Sequence, residues 1–407
     1  MAGRAERLTL SERITSRKAK QIYALIRRQG TVSKLDLLNQ SELTVSTLTR
    51  ILDDLASQKL IVEVGFGEST GGRRPILYET NASYSYVFGL DISRFYSRIV
   101  LCDMHLNKLE SRSWSMTANM TPQVAVELIV RAVADLMGRH GITRENVLGI
   151  GIGAVGPVDR HRGIIVEPLY FPASGWSNVD ICRIMEEQLG FPATLDNGAN
   201  AAIVGEYWAD GGQAYDDLLY VHAGIGLRSA MMTGGQLVYG AFDMEGSVGQ
   251  MIIQTDGVRH REKGGNYGCL ESYASIYALE QAAQSRLKQG RDSRVLELAG
   301  SPEQVGFPHL LQALQEGDLL AIELFTQTAT YFGIGLANLL NVLHPQKVVL
   351  GGPLVSSHEL FFQVATEIAL KNAYHYPSYQ VVFSKGKLGE DALAAGAAAL
   401  VINKLTD

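Results

Sequence analysis

Along the first eighty residues the spacing of apolar residues changes from a helical period to extended runs, and few small folds accommodate that change. From Ser16 to Arg28 apolar residues recur at helical spacing, and Gly30 follows them as a helix stop. Ser33 precedes a second, shorter helical segment, and Thr44 is placed to cap a third. The pattern therefore predicts three helices in this segment.

The third predicted helix has one apolar face and one polar face. The polar face, near the N-terminal end, carries Ser46, Thr47 and Arg50. Hydroxyls and an arginine at such positions suit contacts with base edges and phosphates in a major groove. The pattern predicts a helix-turn-helix in which this is the recognition helix, although a plain three-helix bundle fits these residues too. The apolar stripe consists of Val45, Leu48, Ile51, Leu52 and Leu55.

A glycine-rich, basic segment separates two predicted strands after the third helix. The strands are Leu60–Val64 and Ile76–Tyr78, and residues 65–75 between them contain Arg73 and Arg74. Glycines make such a tip flexible, and paired arginines suit a narrow minor groove, where negative potential is concentrated. A hairpin in this position is typical of a wing, and it favours a DNA-binding module over a plain helical bundle.

Charge is distributed unevenly along the chain. Residues 1–80 carry 13 Lys and Arg against 9 Asp and Glu, a charge of +4, whereas the whole chain carries −6, which leaves −10 for the remainder. Binding to a polyanion depends on local lysines and arginines rather than on the average charge. The first eighty residues are therefore the part of the chain that is suited to DNA.

The segment from Glu63 to Pro75, with its Ser-x-Gly-Gly-Arg-Arg-Pro core, resembles the wing of ROK-family repressors. That family joins xylose- and glucose-responsive regulators to bacterial sugar kinases. The resemblance implies a winged helix-turn-helix domain followed by a two-lobed body. The implied domains are a DNA-binding domain at 1–80, a first α/β lobe at 84–200 that the C-terminal helix at 390–407 joins, and a second α/β lobe with dimerisation elements at 201–389.

Predicted strands and helices follow one another after residue 84, which indicates α/β layers. Their order resembles the duplicated, ribonuclease-H-like (actin-like) body of ROK sugar kinases, in which two lobes enclose a cleft. The predicted strands are Tyr86–Ile92, Arg98–Cys102, Lys108–Met116, Val147–Gly153, Ala193–Asp196, Asp217–His222, Lys347–Gly351 and Gln380–Phe383. The predicted helices are one from Pro122 to near Gly141, then Val179–Leu189, Ala199–Ala209, Ile276–Gln289, Ala321–Leu343 and Ala392–Lys404.

Positions that the resemblance would make catalytic or phosphate-binding have changed. The first phosphate loop of the family is Asp-x-Gly-Gly-Thr, but Asp91 is followed here by Ile-Ser-Arg-Phe, which includes Arg94. The second loop, Ala223–Gly226, continues as Leu-Arg rather than as glycine. Gly198 stands where the family has its catalytic aspartate, and a general base must be ionisable. Asp196, two positions away, is a poor substitute, so we expect no catalytic residue and no cofactor.

The residues that would form the structural zinc site of many family members are mostly absent. The resemblance aligns Gln250, Glu262, Gly264 and Cys269 with one His and three Cys ligands, and only the last cysteine remains. His260 lies nearby, but two ligands do not make a closed site. The sequence therefore predicts no metal and an exposed His260.

Polar residues remain at the positions that the resemblance assigns to sugar recognition. Asn197 and Glu271 match residues that hydrogen-bond sugar hydroxyls, whereas Ser247 replaces a glutamate and Gln250 replaces the histidine. All four side chains can form hydrogen bonds. We therefore expect an effector that is a sugar or sugar derivative, different from the glucose-type hexose of the zinc-bearing relatives.

Together these features predict a DNA-binding regulator that represses carbohydrate-utilisation genes under control of a sugar effector. The resemblance implies a homodimer, or a dimer of dimers, on palindromic double-stranded operator DNA. Two alternatives remain: a body that senses a protein partner or a phosphorylated ligand, for which Arg94 argues, and an active carbohydrate kinase, against which Gly198 argues. No apolar run reaches the roughly 18 to 20 residues of a membrane span. Met1–Lys20 lacks an apolar signal core, so we expect a cytoplasmic protein.

Overall fold

The computed structural model describes residues 13–68, 74–168, 170–212, 214–243, 245–374 and 376–406. The chain divides into a first unit, residues 1–214 with 390–407, and a second unit, residues 215–389. The N-terminal region and the first predicted lobe thus lie in one unit. The boundary between the units falls near residue 214 instead of residue 200, because the helix at 198–209 packs against the C-terminal helix of the first unit.

Local capping signals set the helix ends in the N-terminal region. The Ser16 side chain accepts the N–H of Ala19 at the start of the first helix, and Gly30 ends that helix with a φ of 74°. Ser33 caps the second helix, and Thr44 caps the third. The elements are α1 (Arg17–Gln29), β1 (Val32–Ser33), α2 (Lys34–Gln40), α3 (Val45–Ser57), β2 (Ile61–Phe66) and β3 (Ile76–Thr80). The strands form an antiparallel sheet in the order β1-β3-β2.

The apolar stripe predicted along α3 is correct except at its first position. Leu48, Ile51, Leu52 and Leu55 are buried, but Val45 is 58% exposed. Residues 44–46 are all exposed, because the first turn of α3 projects beyond the packed part of the helix.

The rest of the first unit is a five-stranded sheet with helices on both faces. Its order is β10-β7-β4-β5-β6, in which β4, β7 and β10 are parallel and β5 is antiparallel to its neighbours. The elements are β4 (Tyr86–Ile92), β5 (Tyr96–Asp103), β6 (Lys108–Ser115), α4 (Pro122–Arg139), β7 (Val147–Ala154), β8 (Val158–Asp159), β9 (Ile164–Ile165), α5 (Ile181–Leu189), β10 (Ala193–Asn197), α6 (Gly198–Ala209) and the C-terminal helix (Ala392–Asn403).

The second unit repeats this topology. Its sheet has the order β13-β12-β11-β14-β15, again three antiparallel strands followed by two parallel ones. The predicted duplicated, ribonuclease-H-like body is therefore confirmed. The elements are β11 (Leu218–Ala223), β12 (Leu227–Thr233), β13 (Gln236–Leu237), α7 (Glu271–Ala274), α8 (Ile276–Lys288), α9 (Arg294–Ala299), α10 (Phe307–Gln315), α11 (Leu319–Leu343), β14 (Lys347–Gly351), α12 (Pro353–Ser357), α13 (Glu359–Asn372) and β15 (Val382–Ser384). A 3₁₀ segment spans Glu245–Gln250.

Glycines allow the C-terminal helix to lie directly on the sheet of the first unit. A Cβ atom on Gly89 would lie 1.8 Å from the carbonyl oxygen of Ala394, and one on Gly151 would lie 1.8 Å from that of Ala397. No side chain fits at such distances, so these strands need glycine where the helix crosses them. The close packing fixes the C-terminal helix to β4 and β7.

The N-terminal region and the first lobe share one hydrophobic core. Buried residues of α1, α2 and α3 belong to the same cluster as Val87, Val100 and Leu148 of the sheet and Ala398 and Leu405 near the C-terminus. A polar contact reinforces this packing, because the guanidinium of Arg27 donates a 2.6 Å hydrogen bond from Nη1 to Asn403 Oδ1. It also lies 3.9 Å over the ring of Trp208, just before the end of α6.

The longest described helix, α11, is long and apolar enough to cross a membrane by length and composition alone. More than half of its most apolar window, 56%, is buried inside the protein. Its residues Leu324, Phe325, Phe332 and Leu336 lie in the hydrophobic core of the second unit. The apolar character of α11 is therefore accounted for by core packing.

Candidate functional site

The N-terminal turn of α3 presents a polar, solvent-facing surface. Ser46 and Arg50 are exposed, and Thr47 is half-buried. The hydroxyls are organised around the cap, with Thr44 Oγ1 at 2.9 Å from Thr47 Oγ1 and 3.2 Å from Ser46 Oγ. Arg50 lies one turn further along the helix. The surface therefore offers hydroxyl groups and one cation to a ligand outside the fold.

The β2–β3 hairpin projects two apolar side chains and one arginine into solvent. Val64 is 45% and Phe66 62% exposed, and Arg74 is exposed at the start of the returning strand. A bulge between Glu63 and Gly65 bends the outgoing strand. Arg73, the other predicted wing residue, lies outside the described residues.

The turn after β4 carries none of the open backbone of a phosphate loop. Asp91 is buried and accepts a 2.5 Å hydrogen bond from Ser93 Oγ. Arg94 is half-buried, and its guanidinium lies 5.6 Å over the ring of Tyr170. Phe95 is 53% exposed. These side chains occupy the place of the glycines that a triphosphate would need.

Hydrogen bonds fix the start of α6, where the resemblance to sugar kinases places the catalytic base. Asn197 is the N-cap, and its Oδ1 accepts the N–H of Asn200 at 2.8 Å. The buried Asp196 accepts hydrogen bonds at 2.8 Å from the Asn197 N–H and from Asn200 Nδ2, both on Oδ1. Gly198, the first residue of α6, has no ionisable group. The carboxylate of Asp196 therefore supports the helix start.

In the second unit, Glu271 lies at the centre of a hydrogen-bonded network. Its Oε2 accepts the N–H of Leu227 at 2.8 Å. This oxygen is so tightly enclosed that a Cβ on Gly226 would lie 2.7 Å from it, and one on Gly249 3.0 Å. Its Oε1 lies 3.1 Å from His260 Nε2 and 3.5 Å from Arg261 Nη2. These contacts use most of the hydrogen-bond acceptor positions of the Glu271 carboxylate, which the resemblance assigns to a sugar ligand.

The pKa of Glu271 reflects these contacts. Burial by itself raises the pKa of this carboxyl, but hydrogen bonds from His260 and from the Leu227 N–H, with the charge of Arg261, hold the pKa below its ordinary value. Glu271 therefore stays ionised at neutral pH.

His260 is buried, and the prediction that it is exposed is wrong. Its Nδ1 accepts the N–H of Glu262 at 3.1 Å, so the proton is assigned to Nε2, which donates to Glu271. The ring also lies against Gly265, where a Cβ would be 2.2 Å from Nδ1. A charged stretch of sequence suggested a surface histidine, but a carboxylate eleven residues away and a facing glycine enclose it.

The residues at the family's zinc positions do not fit a zinc ion. Gln250 Oε1 accepts the N–H of Asn266 at 2.8 Å, and Cys269 Sγ lies 3.2 Å from Ser272 Oγ. Among the described residues, no group of three or more His, Cys, Asp or Glu side chains could hold a metal. Neutral amide and hydroxyl contacts hold this segment together where thiolates and a metal would otherwise do so.

Ser247 differs from the other predicted effector residues in the hydrogen bonding of its side chain. Its Oγ is enclosed by protein and has no hydrogen-bond partner among the described residues. Ser247 belongs to the same 3₁₀ segment as Gln250, and Gln250 Nε2 lies 3.4 Å from His260 Nε2. The second unit thus brings Ser247, Gln250 and Glu271 into one neighbourhood, whereas Asn197 belongs to the first unit.

Residues 87–404 match the model of the ROK family. The chain belongs to the ROK family. The xylose repressor of Caldicellulosiruptor bescii is 31% identical over 379 residues, which cover 92% of this chain and 91% of that protein. A ROK-family transcriptional regulator described as a homologue of the Escherichia coli MLC protein superposes with a TM-score of 0.78, at 21% identity, over 98% of both chains. The ROK glucokinase of Streptomyces griseus, in complex with glucose and AMPPNP, superposes with a TM-score of 0.66, at 28% identity.

Coverage separates these ROK relatives. The glucokinase match covers 99% of that enzyme but 78% of this chain, whereas the regulator matches this chain almost from end to end. Both structures therefore share the fold of the ROK body, and the remaining fifth of this chain aligns with the regulator structure but not with the glucokinase.

The environments of three residues of the second unit are not visible in the sequence. Arg261 bonds the carbonyl of Ile225 at 3.2 Å and stacks on Tyr277 at 4.8 Å, beside its ion pair with Glu271. The sequence marks His260 only as part of an incomplete ligand set. It marks Arg228 only as a replacement for glycine, which is the one available signal.

Proposed function

We propose that this ROK protein is a cytoplasmic, DNA-binding transcriptional repressor of carbohydrate-utilisation genes, controlled by a sugar or sugar derivative. The observation that carries the proposal is the combination of the polar α3 surface with a ROK body that has Gly198 at the start of α6, where the resemblance expects the catalytic aspartate. The topology of residues 13–68 and 74–80, three helices and a three-stranded antiparallel sheet, supports a winged helix-turn-helix. In this proposal Ser46, Thr47 and Arg50 contact the major groove, and Arg73 and Arg74 contact the minor groove or backbone.

The likeness to regulators supports two further parts of the proposal. A xylose repressor matches nearly the whole chain, which favours an operator and a sugar effector over a kinase substrate. A homodimer would place two recognition helices on a palindromic double-stranded site. Asn197, Ser247, Gln250 and Glu271 are the proposed effector contacts, without metal or cofactor.

In vitro selection from random double-stranded DNA tests the DNA-binding part. The full-length protein should enrich a palindromic sequence, because twofold symmetry in the protein is matched in its site. Replacing Arg73 and Arg74 with alanine should weaken binding to that sequence and reduce its salt dependence, since fewer phosphate contacts release fewer counterions. Arg131→Ala, on the exposed face of α4, is the matched control and should change neither. Failure to enrich any sequence would refute the proposal.

Ser247→Ala is the sharpest test of the effector site. The Ser247 hydroxyl has no partner within the described protein, so its removal should leave stability and effector-free operator binding unchanged. The effector concentration that half-saturates the change in operator affinity should rise, because one ligand contact is lost. Glu271→Ala should abolish the response but also breaks the network around Arg261. An unaltered response in both variants would place the effector elsewhere.

Sugar-dependent ATP hydrolysis would contradict a non-catalytic body. The wild-type protein should show none with a panel of sugars, because Gly198 cannot take a proton and Asp196 is held by Asn197 and Asn200. Turnover that Asp196→Asn abolishes would establish a replacement base and restore the kinase alternative.

A further inference from the structure

One cation of the second unit, Arg228, has two enclosed nitrogen atoms without a hydrogen-bond partner among the described residues. Arg228, on β12, is 6% exposed, and its Nε and Nη1 atoms are enclosed by protein without a hydrogen bond. It makes no ion pair among the described residues. Enclosing a charge without pairing it is costly, and buried arginines in proteins are normally paired with carboxylates or phosphates. Such an arginine therefore needs an explanation in terms of a counter-charge.

The strand register places Arg228 on the face of its sheet opposite the hydrophobic core of the unit. Leu227 lies in the hydrophobic core of the unit together with Val221 and Ala223, so Arg228 lies on the opposite face. Arg228 pairs directly across the ladder with His222, whose Nδ1 is 3.4 Å from Tyr220 Oη. The face of β11 and β12 opposite the core thus carries a cluster of a cation, an imidazole and a phenol.

Two glycine-containing turns lie at the same edge of the sheet. Strands β11 and β14 are parallel, and the turns at their carboxyl ends contain Gly224 and Gly226 after β11 and Gly352 after β14. A Cβ on Gly224 would lie 3.0 Å from His222 Nε2, and one on Gly352 would lie 2.4 Å from the carbonyl of Ala223. The carboxyl end of parallel strands is where open α/β sheets bind ligands.

We propose that Arg228 is the anion-binding residue of the effector site and that the effector carries a carboxylate or a phosphate group. The inference rests on the proposed effector control and narrows the effector to acidic sugars or sugar phosphates. Both anions accept hydrogen bonds from a guanidinium and would supply the missing counter-charge. Arg228 stands after the Ala223–Gly226 loop, at a position where the resemblance expects glycine. In this proposal its guanidinium binds the acidic group of the sugar directly.

Matched ligand pairs test the proposal on the full-length protein. The probes are glucose, glucuronate and glucose 6-phosphate, then xylose and xylonate, and inorganic phosphate alone, with dissociation constants measured by calorimetry. At least one acidic member should bind tenfold or more tightly than its neutral parent. The affinities of glucuronate and xylonate, compared with that of glucose 6-phosphate, show whether a carboxylate or a phosphate is preferred. Equal affinity for acidic and neutral members, or no binding of any acidic probe, would overturn the proposal.

Arg228→Met and Arg228→Lys connect that preference to one side chain. Arg228→Met should reduce the acidic preference to less than threefold, and Arg228→Lys should retain part of it; Arg131→Met is the control and should keep all of it. The melting temperature of ligand-free Arg228→Met should equal or exceed that of the wild type, because an unpaired charge is removed. A fall of several degrees, or failure to fold, would show that a group of the chain itself pairs with Arg228, and would overturn the proposal.

Operator binding separates this inference from the function on which it rests. If acidic sugars bind through Arg228 but never change operator affinity, the anion site stands and effector control fails. If only a neutral sugar changes operator affinity, and Arg228→Met responds as the wild type does, effector control stands and the anion site fails.

Discussion

The first and second units each enclose an arginine, and the two side chains have opposite surroundings. In the first unit, the partly buried Arg27 stacks on Trp208 and donates to Asn403, although its Nη2 has no partner. In the second unit, Arg228 has no partner for its enclosed Nε and Nη1. An enclosed cation with partners holds elements together. An enclosed cation without partners lowers stability, and such a cost is typical of a residue that is kept for binding.

A third arginine provides a reference within the second unit. Arg261 is ion-paired with Glu271 and bonded to the Ile225 carbonyl. It shows that this unit can place a carboxylate beside an enclosed guanidinium. The absence of one beside Arg228, among the described residues, therefore needs a separate explanation.

Glu271→Gln should have the largest effect on stability. The substitution removes the carboxylate charge beside Arg261, and breaking a buried pair in this way costs about 3 kcal/mol of the free energy of unfolding at pH 7. The folded-state pKa of Glu271 is below its ordinary value, so its ionised form stabilises the protein above the ordinary glutamate pKa. This contribution is lost as the pH falls through the folded-state pKa.

Urea denaturation between pH 3 and pH 7 measures both effects. The difference between wild type and Glu271→Gln should shrink as the pH falls. Glu323→Gln, which removes a solvent-exposed partner of Arg286, should change the free energy of unfolding by less than about 0.5 kcal/mol. A pH-independent difference would show that Glu271 acts through packing and not through its charge.

Arg27→Met should have the next largest effect. It removes the stacking on Trp208 and leaves the Asn403 oxygen without its donor, which together cost about 2 kcal/mol. Burial lowers the pKa of Arg27 to about 10, so the group remains charged at neutral pH and the loss should be visible there. Arg17→Met, on the exposed side of α1, is the control in the same denaturation experiment. If Arg27→Met and Arg17→Met had the same free energy of unfolding, the contacts of Arg27 would not stabilise the fold, and Arg27 would no longer contrast with Arg228.

Arg228→Met should change stability in the opposite direction. Replacement of an enclosed, unpaired charge by an apolar side chain of similar length should raise the free energy of unfolding of the ligand-free protein by about 1 kcal/mol. The same chemical substitution is thus expected to destabilise at Arg27 and to stabilise at Arg228. If Arg27→Met and Arg228→Met lowered the free energy of unfolding by similar amounts, both arginines would have structural roles.

Arg50→Ala should have almost no effect on stability and a clear effect on DNA. The side chain is exposed on α3, so the free energy of unfolding should change by less than about 0.5 kcal/mol. Operator affinity, measured by fluorescence anisotropy, should fall by about 1 to 3 kcal/mol if Arg50 contacts a base. Unchanged affinity would remove Arg50 from the proposed recognition surface.

Elements with strong local signals were predictable from the sequence. Ser16, Gly30 and Thr44 bound their helices as predicted, because a cap depends on a few neighbouring residues. Strands β4 and β14 have the predicted bounds, since strands buried on both faces are nearly continuous apolar runs.

Elements that depend on distant partners were missed. Strand β12 was not predicted, because LRSAMMT has few β-branched residues and its extended form depends on pairing with β11. Helix α13, in contrast, has an ordinary helical pattern and could have been predicted.

In the candidate site, too, the sequence shows the residue types but not their surroundings. The residue types at Asn197, Ser247, Gln250 and Glu271 are visible in the sequence. Their hydrogen bonds are not, because they depend on which backbone groups approach them. The enclosed state of Arg228 follows from strand register and from the packing of the whole fold, neither of which a local motif records.

The core shared by α1 and the C-terminal helix also has a consequence for protein synthesis. Arg27 bonds to Asn403, which lies 376 residues further along the chain, and α1 packs in a cluster that Ala398 and Leu405 complete. Translation therefore adds these partners long after α1. A nascent chain that has not reached Ala398, or one that terminates before it, lacks part of the core that packs against α1.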